Sequence, residues 1–277
     1  MLALRGCEMD YAKSGSRLEE VEMLTPQGGE RMPSMNLPVM NAFTKSLFRQ
    51  TGTLGGIGLL LKSNTWDMIA NRPKWHPEYF DIEDEEEEQV YKKYFKLLAP
   101  IIMLYDNLKR QYGEYLADEI MASIAIPMQL ALYPQFGWLP SDKTNIDQWR
   151  QVTANAFGNK AYECTLLVAE DKTEFRMRWT KCVPVMIVKA YGLHVYAANV
   201  CLTDHVFMGC MAPGVIFSRN HTIGAGDSYC DHTIRLPLNK DDKKEESDYA
   251  DCLKVQGGRE RVQHWEEVYK RFGEFRF

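Results

Sequence analysis

Residues 173–182 read T-E-F-R-M-R-W-T-K-C, and their alternation decides the fold. Phe175, Met177 and Trp179 alternate with Arg176, Arg178 and Thr180. A period of two turns the first set toward a core and the second toward water or a ligand, as in a strand buried on one side. The run Tyr162 to Ala169 lies just upstream across the turn residues E-D-K, so the two runs predict a hairpin. Val215 to Ile223 and Ser228 to Leu236 predict a second hairpin around Gly224-Ala225-Gly226-Asp227. Between the hairpins, Val183 to about Met211 is long and apolar enough for a helix with a break at Gly192. Together these elements predict a four-stranded, mainly antiparallel sheet crossed by a helix.

Upstream the period changes to that of helices. Val90, Tyr94, Leu97, Leu98, Ile101, Tyr105 and Leu108 recur at three- and four-residue steps, with Pro100 as a kink point. The acidic run D-I-E-D-E-E-E-E at 81–88 precedes them and reads as a solvated helix start that complements the N-terminal dipole. Leu116, Ile120, Ile124 and Met128 mark a second helix, and Ile146 to Phe157 a third. A helical layer followed by a run of strands is an α+β order. Residues 1–40 lack a sustained period and read as a flexible extension, and 41–277 read as one domain. Its parts are a helical region (41–158), the sheet with its crossing helix (159–237), and a charged loop with a closing amphipathic helix (238–277). Phe43, Leu47 and Phe48 suggest a short helix before the glycine cluster at 52–58. That cluster lacks the Gly-Lys-Ser order of a phosphate loop.

With 277 residues and 45% hydrophobic content the chain can bury a substantial core. A formal charge of −5 argues against nucleic acid and acidic membrane surfaces as partners, which call for a basic face. A small-molecule substrate is the expected partner; the oligomeric state stays open, with a homodimer among the options. No hydrophobic leader and no spanning segment is apparent, so a cytoplasmic location is expected. Seven cysteines without C-x-x-C spacing are expected to be free thiols in a reducing compartment.

Reactive side chains concentrate between Cys201 and Asp231. On the crossing helix Cys201, Asp204, His205 and Met208 fall on one face. Such a face can hold a thiolate against an imidazolium and make the sulfur nucleophilic. Beyond it, strand alternation places Phe217, Arg219 and His221 on one side and Ser218, Asn220 and Thr222 on the other. Arg219 can clamp a substrate carboxylate with two hydrogen bonds. Cys230 and His232 share a face of the last strand. Blander readings stand beside these: Cys182, Cys210 and even Cys201 as small core residues, Asp204 as a structural partner of Arg219, and Gly226-Asp227 as turn chemistry. The spacing matches no zinc signature, so no metal and no other cofactor is expected.

Several short motifs stand in series: T-K-C at Thr180 to Cys182, then Gly192, C-x-x-D at Cys201 to Asp204, F-x-R at Phe217 to Arg219, and T-I-x-x-G-D-x-x-C-D at Thr222 to Asp231. Over Phe175 to Leu236 their order and spacing resemble the L-2-amino-thiazoline-4-carboxylic acid hydrolase family. The G-D-x-x-C ending also resembles the 4-vinyl reductase domain, a small-ligand-binding α+β module. The chain departs from the family pattern at Lys181, where arginine is common, at His232, where an aromatic residue usually follows Cys-Asp, and in its N-terminal extension. The resemblance implies a hydrolase that opens a small cyclic amidine or thiazoline-type acid at a carbon–nitrogen or carbon–sulfur bond. Under it Cys201, Asp204, His205 and Cys230 are the candidate catalytic residues, and Arg219, Thr222, Asp227, Cys182 and His221 the substrate-binding ones. Attack falls either to Cys201 or to a water held by Asp204. Two alternatives use the same pocket: a non-hydrolytic isomerase, cyclase or lyase of specialised metabolism, and a ligand-binding module without turnover.

Overall fold

The computed structural model describes residues 12–22, 44–45, 73–136, 140–211, 214–239 and 242. In chain order its elements are β1 (Leu18–Val21), α1 (Glu85–Tyr112), α2 (Glu114–Phe136), α3 (Ile146–Phe157), β2 (Tyr162–Ala169), β3 (Glu174–Cys182), α4 (Val183–Ala190), α5 (His194–Met211), β4 (Ile216–Ser218) and β5 (Cys230–Arg235). Short 3-10 turns lie at Pro77–Tyr79 and Ile223–Ala225. The class is α+β, as the sequence implies.

The strand order is β1-β2-β3-β5-β4, with every neighbouring pair antiparallel. The sheet therefore has five strands rather than four. The additional one, β1, comes from the stretch read as a flexible extension: Leu18 to Val21 pair with Leu166 to Ala169 along the edge of β2. L-E-E-V is too short to show a period, and only the backbone donors and acceptors of an open sheet edge give it a partner.

Alternation in β3 holds as predicted. Phe175, Met177 and Trp179 are buried at 0%, 1% and 5% exposure against the helices, while Arg178 lies on the outer face, its guanidinium 4.4 Å from the Tyr229 ring centroid. The helical layer packs in tiers, α1 on α4 and α2, and α2 on α5, and one apolar core joins these helices to β2, β3, β4 and β5. Helix starts follow their capping residues: Asp84 accepts from the Glu87 N–H at 2.7 Å, and Asn145 from the Gln148 N–H at 3.2 Å. α1 runs through Pro100. The apolar stretch after β3 breaks as expected at Gly192, whose φ of +87° suits glycine, leaving α4 and α5 as separate rods. The helices predicted near Phe43 to Phe48 and at 262–272 fall largely or wholly outside the described residues.

Two expectations need correction. The second hairpin is shorter than its apolar pattern: β4 ends at Ser218, and 219–229 form a loop containing the 3-10 turn. The acidic run is also not wholly solvated, because Glu87 is 3% exposed. Its carboxylate takes the Lys181 ammonium, near the end of β3, and the Glu83 N–H at 2.7 Å. Burial pushes the Glu87 carboxyl up, yet the Lys181 ammonium and the Glu83 N–H outweigh it and hold the group below the usual range. Lys181 thus pins the first turn of α1 to the sheet. Replacing Lys181 by Met should strand a buried carboxylate and lower the unfolding free energy by roughly 3 kcal/mol, read as a lower urea midpoint at unchanged slope, whereas Lys181→Arg should keep most of it.

Candidate functional site

Three segments converge under the inner face of the sheet: the middle of α5, the residues just after β4, and the start of β5. Arg219, one residue past β4, is 2% exposed. Its Nη1 donates to Asp204 Oδ2 at 2.7 Å and its Nη2 to the Cys201 carbonyl at 2.9 Å. One guanidinium therefore closes both the side chain of Asp204 and the backbone of Cys201, one helical turn apart on α5. Asp204 keeps 12% side-chain exposure, so the pair has an edge on solvent.

The loop between β4 and β5 is shaped by its carboxylates. Asp227 accepts from the Thr222 N–H at 2.8 Å, and Asp231 accepts from the N–H groups of Asn220 and His221 at 2.9 and 2.5 Å. So held, Thr222 caps the 3-10 turn, its Oγ1 accepting from the Gly224 N–H at 3.3 Å and from the Cys230 thiol at 3.6 Å. The Ile223 N–H points at Cys230 Sγ, 3.2 Å away. A Cβ on Gly224 would lie 2.5 Å from Cys201 Sγ and 2.8 Å from the Ala197 carbonyl oxygen, so only glycine lets this turn seat against α5.

The thiols are held as thiols. Burial raises Cys201, an effect the Arg219 guanidinium opposes only in part; burial pushes Cys230 up to about 12 and holds Cys182 well above its ordinary value. None of the three is poised as a thiolate.

His232 completes the cluster. Its Nε2 lies 3.4 Å from Arg219 Nη1 and 3.7 Å from Asp204 Oδ2, and its ring packs edge-on to Phe217 with centroids 5.5 Å apart. Burial, reinforced by the Arg219 charge, holds its pKa well below 6.5, so the ring is neutral. Since a guanidinium can only donate, its pairing with Nε2 assigns that nitrogen as the acceptor and places the ring proton on Nδ1. Nδ1 is buried and has no hydrogen-bond partner.

Of the residues singled out by sequence, Cys201, Asp204, Arg219, Thr222 and Cys230 meet here. Cys182, at the N-terminus of α4, is close enough for the charges of Cys201, Cys230 and Asp204 to act on its thiol. Asp227 acts through the loop backbone. His221 points away: it is half-exposed, 4.7 Å from the Tyr229 ring and 3.8 Å from Asp227. The reason is that β4 stops at Ser218, so the alternation that placed His221 beside Arg219 does not extend that far. The side chains of His205 and Cys210 fall outside the described residues. Sequence reasoning set His232 on the Cys230 face and Gly224 in a turn but gave neither a place among the site residues. Among the described residues no group of three or more His, Cys, Asp or Glu side chains could hold a metal ion. No described helix is long and apolar enough to cross a membrane.

The model of the L-2-amino-thiazoline-4-carboxylic acid hydrolase family matches residues 91–234. The chain belongs to this family. Searches of curated proteins and of solved structures gave no match. The hydrolase-family segment runs from α1 into β5, so it contains Cys182, the whole Arg219 cluster and the turn at Gly224, and leaves β1 outside.

Two outcomes follow for this family member. A histidine neutral in the fold and ordinary when unfolded contributes stability that is complete above pH 6.5 and is lost as pH falls below it. The unfolding free energy should therefore drop from pH 6.5 toward 5 with a slope of up to about 1.4 kcal/mol per pH unit, and His232→Phe should flatten that slope in urea titrations at each pH. Gly224→Ala should cost roughly 1–3 kcal/mol, only part of it returning in the double variant with Cys201→Ala, because the Ala197 carbonyl still obstructs the added methyl.

Proposed function

We propose that the protein hydrolyses a small cyclic amidine-type carboxylic acid of the 2-amino-thiazoline-4-carboxylate kind, opening the ring at its carbon–sulfur bond. Membership of the hydrolase family supports the reaction class. One observation carries the rest: Asp204, fixed by Arg219 and flanked by neutral His232, keeps an edge on solvent.

Water adds to the carbon between sulfur and nitrogen as Asp204 takes one of its protons, with Arg219 fixing the carboxylate's direction. The tetrahedral carbon then expels sulfur, which receives that proton, while the remaining hydroxyl passes its own proton to the former ring nitrogen and becomes the carbonyl of an N-carbamoyl-cysteine-type product. Ring plus one water gives product with no other reactant. This assigns attack to water rather than to Cys201, whose thiol burial keeps protonated. Thr222, Gly224 and Cys230 shape the wall behind it, and Cys182 packs nearby.

The test is incubation with 2-amino-thiazoline-4-carboxylate, following product by mass and by released thiol. Asp204→Asn should lower kcat by roughly 10²- to 10⁴-fold, while Cys201→Ala should lower it by less than about tenfold. The reverse order would assign the attack to sulfur, and no product from the wild-type chain would remove the hydrolase reading.

A further inference from the structure

Among the described residues, two of the buried N–H donors without an acceptor lie on the inner face of neighbouring strands. One is Nδ1 of His232 on β5 and the other is the indole Nε1 of Trp179 on β3. Both side chains project from the inner face of the sheet: Trp179 pairs directly with Cys230, and Met177 with His232, so the two rings are diagonal neighbours with centroids 6.1 Å apart. Trp179 is 5% exposed. Leaving such donors without a partner costs each of them the hydration it had in the unfolded chain, so two together need an explanation.

Their surroundings specify what they can receive. Phe157 and Tyr162 stand 5.1 and 5.9 Å from the Trp179 ring, and Phe217 flanks His232, so the walls are flat and apolar. Arg219 donates toward the far nitrogen of His232, polarising the imidazole and strengthening Nδ1–H as a donor. The same guanidinium repels a cationic ligand group. Two N–H donors beside a guanidinium, between aromatic rings, call for a group with two acceptor oxygens, and since both nitrogens are sealed from water such a group reaches them only as an enclosing side chain turns aside.

We propose that Trp179 Nε1–H and His232 Nδ1–H together bind the carboxylate of the small heterocyclic acid, one oxygen each. The assignment of a carboxylate rests on the small-acid reading above. It moves carboxylate recognition away from Arg219, whose Nη1 and Nη2 are already committed to Asp204 and the Cys201 carbonyl.

The probes are 2-amino-thiazoline-4-carboxylate and 2-amino-thiazoline, which lacks the acid group, each titrated into the full chain. The acid should bind at least about tenfold more tightly than the decarboxylated compound, and Trp179→Phe, which keeps the ring and removes the donor, should erase that ratio. The unmodified chain gives a second readout that requires no folded variant: the ¹⁵N-indole resonance of Trp179, assigned by its proximity to the His232 ring. This resonance should move on adding the acid and stay in place with the decarboxylated probe. Equal affinity for both probes, an unmoved resonance at saturation, or no binding of either overturns the proposal. An acid that moves the resonance without being hydrolysed sustains it and removes the hydrolase reading. Hydrolysis with KM unchanged in Trp179→Phe does the opposite.

Discussion

A guanidinium withdrawn from water must recover its lost hydration from its neighbours, and at Arg219 that requirement dictates much of the local structure. Placing a cation at 2% exposure is costly unless several of its donors are matched. Asp204 supplies one acceptor and the Cys201 carbonyl another, and both sit on α5. The guanidinium thereby fixes the height of α5 against the end of β4. Burial, reinforced by the same guanidinium, keeps a third neighbour, His232, uncharged. A pair of this kind is weak evidence for stability, since apolar residues could pack as well. Its effect here is on specificity: it selects one arrangement of helix and loop among many that would bury similar apolar area.

That arrangement depends on backbone features at two distant points. Gly192 ends α4 and lets α5 start in a new direction, so that Cys201 and Asp204 face the sheet. Gly224 then allows the loop after β4 to touch the same helix through its backbone, bringing Thr222 and the amides of Ile223 and Gly224 next to two thiols. Carboxylates enforce the loop from outside, with Asp227 and Asp231 each holding amides of the 220–222 segment. Acidic residues therefore have two separate jobs within one short stretch. Those at 227 and 231 build the turn, and the one at 204 faces the cluster.

How much of this could be read from sequence follows from the range of the forces involved. The two-residue period of Phe175, Met177 and Trp179, the acidic helix start at 81–88 and the break at Gly192 are local, and each predicts its element correctly. The assembly of Cys201, Asp204, Arg219, Thr222 and Cys230 was also legible, because helical spacing and the series of short motifs point to the same residues. β1 was not, since four residues of L-E-E-V acquire their structure only from the edge of β2. His221 was misplaced because a period-of-two extrapolation was carried past the true end of β4, where the loop carboxylates take over. Glu87 looked like one more solvated acid in a run of eight residues; only the position of Lys181 on a strand far along the chain distinguishes it. The role of His232 likewise required knowing that Arg219 lies beside its ring.

Lys181 and His232 have different physical roles. Lys181 spends its charge on Glu87 and joins a helix start to the end of a strand, so a basic residue there answers to folding. His232 touches Arg219 and approaches Asp204, and it stands between Phe217 and Trp179 on the inner face of the sheet. An aromatic hydrocarbon at that position would fill the same volume but offer the site no N–H. Exchanging such a ring for a neutral imidazole adds one directed donor without adding net charge, and the Arg219–Asp204 pair can remain intact. A change of that kind alters which acceptor group a ligand can present while leaving the helix, the loop and the reacting carboxylate where they were.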